Sequence, residues 1–111
     1  MATHEGRDKY ERLNMLVKQY AGQYVSREAG TTALITITRS TISPDGKKCI
    51  VYFTALPGEK ENAALGFLKR HRGDMRDYIE SIIRTQNVPF IDVAVDQGEK
   101  NYQRIDGLLK K

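Results

Sequence analysis

Tryptophan is absent from this sequence, cysteine occurs once and proline three times in 111 residues. With Cys49 alone, no intrachain disulfide can form, which points to a reducing compartment and to a fold held by its core. Long apolar runs are missing as well. The longest runs from Cys49 to Phe53, far short of the roughly 20 residues that a membrane-spanning helix needs. Met1 to Met15 carries charges throughout and has no apolar signal core. The expectation is a cytoplasmic protein with no membrane association. At this length one domain over 1–111 is expected, able to form a modest core unaided but too small for a deep cleft between lobes.

Catalytic constellations are also lacking. The nine glycines include no pair spaced as G-x-G or G-x-x-x-x-G, so dinucleotide and phosphate-cradling loops are excluded as written. No G-x-S-x-G nucleophile elbow exists. His4, His71 and Cys49 are the soft metal ligands, and no two lie one helical turn apart, so neither a zinc site nor any other cofactor is expected. Cys49 falls inside an apolar run and reads as a small core residue rather than a nucleophile. These absences argue for a binding protein and against an enzyme.

What is present is positive charge, unevenly placed. Residues 1–38 carry five Lys/Arg against four Asp/Glu, residues 39–72 seven against three, and residues 73–111 six against seven. The net excess of +4 therefore lies in the middle third, at Arg39, Lys47, Lys48, Lys60, Lys69, Arg70 and Arg72. A local basic patch attracts a polyanion, most often nucleic acid, by releasing its counterions.

Periodicity sets the elements. Leu13, Leu16, Val17, Tyr20 and Tyr24 form one helical face within Arg7 to Arg27, and Gly30 stops that helix. Thr31 to Ile42 is β-branched, with Ile35 and Ile37 alternating against Thr36 and Thr38. Ser43-Pro44-Asp45-Gly46 is turn chemistry, with Asp45 shaping the turn, and a second strand over Lys48 to Leu56 closes an antiparallel hairpin. A helix is expected over Glu59 to Arg72, then a break at Gly73, then a helix carrying Met75, Tyr78, Ile79, Ile82 and Ile83 to about Thr85. Val88-Pro89 ends the helical region, and Phe90 to Asp96 reads as a third strand. Tyr102, Ile105, Leu108 and Leu109 suggest a short helix from Glu99 to Leu109. The order α-β-β-α-α-β describes an α+β domain with helices on one face of a three-stranded sheet.

That order, with a basic helix-break-helix in its second half, is the layout of a type II K-homology-like domain, although the glycine pair of the usual phosphate clamp is missing. Lys69-Arg70-His71-Arg72-Gly73 stands there instead. With Ile42-Ser43-Pro44-Asp45 leading into Cys49-Ile50-Val51-Tyr52-Phe53-Thr54, with Val88-Pro89-Phe90 before a strand ending in Asp96, and with Arg104-Ile105-Asp106 before Leu108-Leu109, the sequence resembles the ribosome-binding factor A family over nearly its whole length. In that family the clamp is replaced by a kink written A-x-G, which falls here on His71 and Gly73. A second alignment through Gly66 would lengthen the third helix, and the spacing to Pro89 favours Gly73.

The resemblance implies an RNA-binding module without chemistry. Its partners would be the free 30S subunit and small-subunit ribosomal RNA, near the subunit's neck and decoding region. Its role would be late maturation, including processing of the RNA's 5′ end and adaptation to cold, in a cytoplasmic protein expected to be a monomer. The expected RNA-binding residues are Lys69, Arg70, Arg72 and Arg76 around the kink, with Lys47 and Lys48 at the hairpin tip. Arg7 and Lys9, on the near-neutral first helix, are expected to lie outside that site. The rival reading is a K-homology-like module that binds protein through the Tyr52/Phe53 strand face or the C-terminal helix.

Overall fold

The computed structural model describes residues 9–30, 33–84 and 87–99. Helix α1 spans Glu11–Glu28, strands β1 and β2 span Leu34–Ile42 and Lys48–Leu56, and a 3-10 turn at Gly58–Lys60 leads into α2 at Glu61–Arg70. Helix α3 follows at Arg72–Ile82, and β3 closes the order at Phe90–Val95. The sheet runs β1-β2-β3, with β1 and β2 antiparallel and β2 and β3 parallel. Parallel neighbours cannot be joined by a hairpin, and α2 and α3 supply the crossover. The expected helix from Glu99 to Leu109 lies almost entirely outside the described residues, where only its first position can be seen. The chain turns helical at Gln97, and the Glu99 amide donates to Asp96 Oδ1 at 3.0 Å, which is the geometry of an N-cap.

Alternation along β2 decides what the sheet buries. Cys49, Val51, Phe53 and Ala55 point to the helices and are buried, as are Ile91 and Val93 beside them on β3. Leu13, Val17, Ala21, Tyr24 and Val25 of α1, Ala64 and Leu68 of α2, and Met75 and Ile79 of α3 complete this core. The buried stripe of α1 is turned slightly from the expected face, so that Leu16 and Tyr20 are half-buried while Ala21 and Val25 are sealed. Ile82 is exposed because α3 stops there, and Ile83 takes the buried place one residue on.

Strand β1 is not the simple alternating strand that its sequence suggests. Its register against β2 shifts between Ile37 and Arg39. The extra residue, Thr38, makes a bulge, after which Ser40 and Ile42 rather than Arg39 and Thr41 pair with the inward-facing Val51 and Cys49. Ser40 is buried there with its hydroxyl on the Asn14 side-chain oxygen of α1. Arg39 is left on the outer face, its guanidinium 3.9 Å from the Tyr52 ring centroid and its Nε 3.2 Å from Asp96 Oδ2. Among the described residues no helix is long and apolar enough to cross a membrane.

Candidate nucleic-acid interface

The hairpin tip is a small hydrogen-bonded frame. The Gly46 amide donates to Ser43 O at 2.9 Å and the Ser43 amide to Lys48 O at 2.8 Å. Asp45 Oδ1 accepts from the Ser43 hydroxyl at 2.6 Å and from the Lys47 amide at 3.0 Å. These bonds, the Ser43 hydroxyl first, hold the Asp45 carboxyl below its ordinary pKa. Gly46 adopts φ +73°, where a side chain would be strained. Asp45 thus shapes the turn, and the turn presents Lys47 and Lys48 on an ordered backbone, both exposed.

The helix break falls at His71, two residues before the glycine that the sequence suggested. His71 (φ −104°, ψ 14°) ends α2 and starts α3. Its amide is shared between Phe67 O at 3.1 Å and Leu68 O at 3.2 Å, so the regular i−4 ladder ends there. The imidazole stacks on Phe67 with centroids 4.1 Å apart, and Nδ1 donates to Phe67 O at 2.8 Å. Gly73 sits inside the first turn of α3 with no positive φ, and a Cβ there would meet nothing within 4 Å. The break needs no glycine because the bridge-region backbone at His71 absorbs it. Gly66 lies within α2 and interrupts nothing.

Four basic residues around the break have different surroundings. Lys69 Nζ and an Arg72 terminal nitrogen both reach Asp92 Oδ1, at 3.3 Å and 3.1 Å, from above the open edge of β3. Burial works to raise the Asp92 pKa, but the Val93 amide, Lys69 and Arg72 outweigh it, and the net shift is downward. Arg70 is exposed and extends back along α2, where a Cβ on Gly66 would come 3.3 Å from its guanidinium. No ion pair among the described residues holds Arg70, Lys47 or Lys48. Arg76 is tied down: Nε lies 3.2 Å from both Val88 O and Pro89 O, another guanidinium nitrogen is 2.8 Å from Val88 O, and the third is 2.8 Å from Glu80. Its geometry is that of a clamp between α3 and the segment entering β3.

The sheet register joins the two basic groups that the sequence leaves apart. Lys48 pairs with Phe90 across the β2–β3 ladder, and the Phe90 amide donates to Lys47 O at 3.0 Å. The Arg72 guanidinium stands 5.9 Å from the Phe90 ring centroid. Phe90, 53% exposed, is therefore flanked by the hairpin tip on one side and the helix break on the other. Beside it opens a groove of about 870 Å³, whose lining includes Lys9, Tyr10, Lys47, Arg76 and Phe90. Lys9 faces this groove and does not lie apart from it, because the start of α1 packs beneath the hairpin. Arg7 lies outside the described residues.

Elsewhere the geometry is structural. Cys49 is fully buried, and burial pushes its thiol pKa up to about 12, which leaves it unreactive at neutral pH. Phe53 is fully buried and Tyr52 lies under Arg39, so the Tyr52/Phe53 strand face is not an open apolar patch. Among the described residues no three His, Cys, Asp or Glu side chains are grouped so as to hold a metal ion.

Comparison with known proteins identifies the family and the fold. Ribosome-binding factor A of Coprothermobacter proteolyticus is 27% identical over 107 residues, covering 91% of this chain and 78% of that protein. The protein of the same name from Rhodopseudomonas palustris strain HaA2 is 29% identical over 79 residues, covering 71% of this chain and 58% of its own length. The crystal structure of ribosome-binding factor A from Thermus thermophilus superposes with a TM-score of 0.67 at 20% identity, over 76% of this chain and 92% of that one. A homology model of the Thermus thermophilus factor, fitted into a cryo-EM map of a complex between the 30S subunit and ribosome-binding factor A, also gives 0.67 at 20% identity, over 78% and 93%. With the family model for ribosome-binding factor A matching residues 9–109, this chain belongs to the ribosome-binding factor A family.

Proposed function

We propose that this protein binds the immature 30S subunit through small-subunit ribosomal RNA and promotes late maturation of the subunit, including 5′-end processing and growth in the cold. It acts as a single cytoplasmic domain and a monomer, by binding and without a catalytic step. The observation that carries the reading is the gathering of Lys47, Lys48, Lys69 and Arg72 around one end of the sheet, on backbone fixed by the turn and the helix break, with the exposed Arg70 closing α2 beside them in the chain. Phosphate contacts of this kind set position, and specificity then comes from RNA shape. The Thermus thermophilus relative seen with a 30S subunit supports the same partner here. Arg76 serves this surface indirectly, by fixing the segment that carries Phe90.

Cosedimentation with free 30S subunits in a low-salt extract tests the proposal. If four to six phosphates are neutralised, log K against log salt should slope at roughly −3 to −5. Lys47→Glu with Arg70→Glu should flatten the slope and release the protein from 30S subunits. Lys18→Glu with Lys60→Glu, both exposed and away from this end of the sheet, should change little. Equal losses from the two pairs, or binding indifferent to salt, would refute a defined RNA site.

A further inference from the structure

We infer that Phe90 is a stacking platform for one unpaired nucleobase, so that the basic surface prefers RNA with an exposed base over a continuous duplex. The inference rests on the RNA-binding reading above and adds the chemical class of what is bound at its centre.

Phe90 is the one phenylalanine among the described residues that is exposed, since Phe53 is fully buried and Phe67 packs against the core. Its backbone is fixed. Pro89 restricts the backbone before it, its amide is bonded to Lys47 O, and its strand is paired with β2 from this residue onward. With the backbone set, only the ring's own two side-chain torsions remain to be ordered when something stacks on it.

Charge decides what that partner is. Lys48 is the ladder partner of Phe90 on β2, and the Arg72 guanidinium approaches the ring to 5.9 Å, near the outer limit of cation–π contact and too far to be stacked on it. An apolar protein surface seated on Phe90 would have to strip water from Lys48, which has no ion-pair partner among the described residues, and from an Arg72 that only Asp92 compensates. A nucleotide offers a flat base for the ring and a phosphate for the cations within one unit. The adjoining groove, at about 870 Å³, is of the size of ligand-binding clefts, and its lining sets Lys9 and Lys47 against the single carboxylate of Asp45, so it can take the neighbouring sugar and phosphate. A base inside a duplex already has both faces stacked, so only an unpaired one fits.

The absence of tryptophan makes the test site-specific, because Phe90→Trp places the sole indole of the chain on the platform. The probes are a short mixed-sequence single-stranded RNA, the same sequence in a hairpin-closed duplex, and inorganic polyphosphate, with binding followed independently by anisotropy of labelled RNA. Single-stranded RNA should quench the indole, while polyphosphate should compete for the cations without quenching. Phe90→Ala should weaken single-strand binding about five- to 150-fold, the range of one base–aromatic stack, and leave duplex affinity unchanged. Phe90→Tyr should retain the parent affinity and Phe90→Leu should not, with circular dichroism confirming that each variant is folded. Salt-sensitive binding with no quenching, or equal losses of both RNAs in Phe90→Ala, would overturn the platform while leaving the electrostatic reading intact. No salt-sensitive binding of either RNA by the unmodified protein would overturn both.

Discussion

Two glycines should respond to alanine with opposite signs, and the reason lies in backbone geometry rather than in sequence context. Gly46 stands at φ +73°, and a Cβ there would lie 2.5 Å from the Tyr10 hydroxyl oxygen and 2.7 Å from its Cζ. Left-handed backbone costs an L-residue about 1–2 kcal/mol, offset by about 0.4–1 kcal/mol because alanine restricts the unfolded chain. The Tyr10 ring must also swing away from the core it half covers, which forfeits about half of the roughly 1.5–3 kcal/mol of a fully buried large side chain. Gly46→Ala should therefore destabilise by about 2 kcal/mol, lowering Tm by about 9 °C for a domain of this size. Gly73, by contrast, lies in the first turn of α3 with open space at its Cβ and ordinary helical φ. Gly73→Ala should stabilise by up to about 1 kcal/mol, raising Tm by up to about 4 °C. Thermal unfolding followed by circular dichroism reads both. A double-mutant cycle with Tyr10→Ala separates the two costs at Gly46, since the ring's share of about 1 kcal/mol should vanish in that background. A Gly73→Ala variant that melts below the parent would show that the helix break depends on that glycine, and the placement at His71 would be wrong. A Gly46→Ala variant as stable as the parent would refute the turn geometry.

Two further outcomes follow from side chains whose bonds hold neighbouring elements together. Arg76→Ala removes charge-assisted bonds to Val88 O and Pro89 O and should cost about 1.5–3 kcal/mol in urea unfolding, and Arg76→Lys should recover little because an ammonium cannot span both carbonyls. An Arg76→Lys variant as stable as the parent would refute the clamp. Asp96 is held below the ordinary carboxylate pKa by the Thr38 hydroxyl first, with the Glu99 amide and Arg39 adding to it against the cost of burial. A depressed carboxylate contributes stability that is full above the unfolded pKa near 3.9 and is lost as pH falls through the lower folded value. Asp96→Asn should therefore lower stability at pH 7 and flatten its decline below about pH 4. Parallel stability curves for parent and variant down through that range would refute it.

The local half of this protein is legible in its sequence. Spacing alone determines that Leu13, Val17 and Tyr24 share a helical face, that Met75 and Ile79 share another, and that Cys49, Val51 and Phe53 line one side of a strand, because each element's period projects its own burial. Turn chemistry at Ser43-Pro44-Asp45-Gly46 fixes the hairpin for the same local reason, since proline and glycine act on their own dihedrals. The concentration of charge in the middle third and the ordered motifs that mark the family are also written in the chain. What periodicity does not carry is the meeting of elements. The bulge at Thr38 is one residue of slack that β1 takes up only against β2, and it turns Arg39 outward onto Tyr52. The break falls at His71 because its ring packs on Phe67 and its amide divides between two carbonyls. Arg76 resembles its basic neighbours until the Val88 and Pro89 carbonyls arrive beside it. Lys48, Phe90 and Arg72 become one surface only through the parallel register of β2 and β3, and Lys9 joins the same groove because α1 begins beneath the hairpin. Register and cross-element charge pairing are long-range contacts, set by how whole faces pack, and the tertiary structure alone decides them.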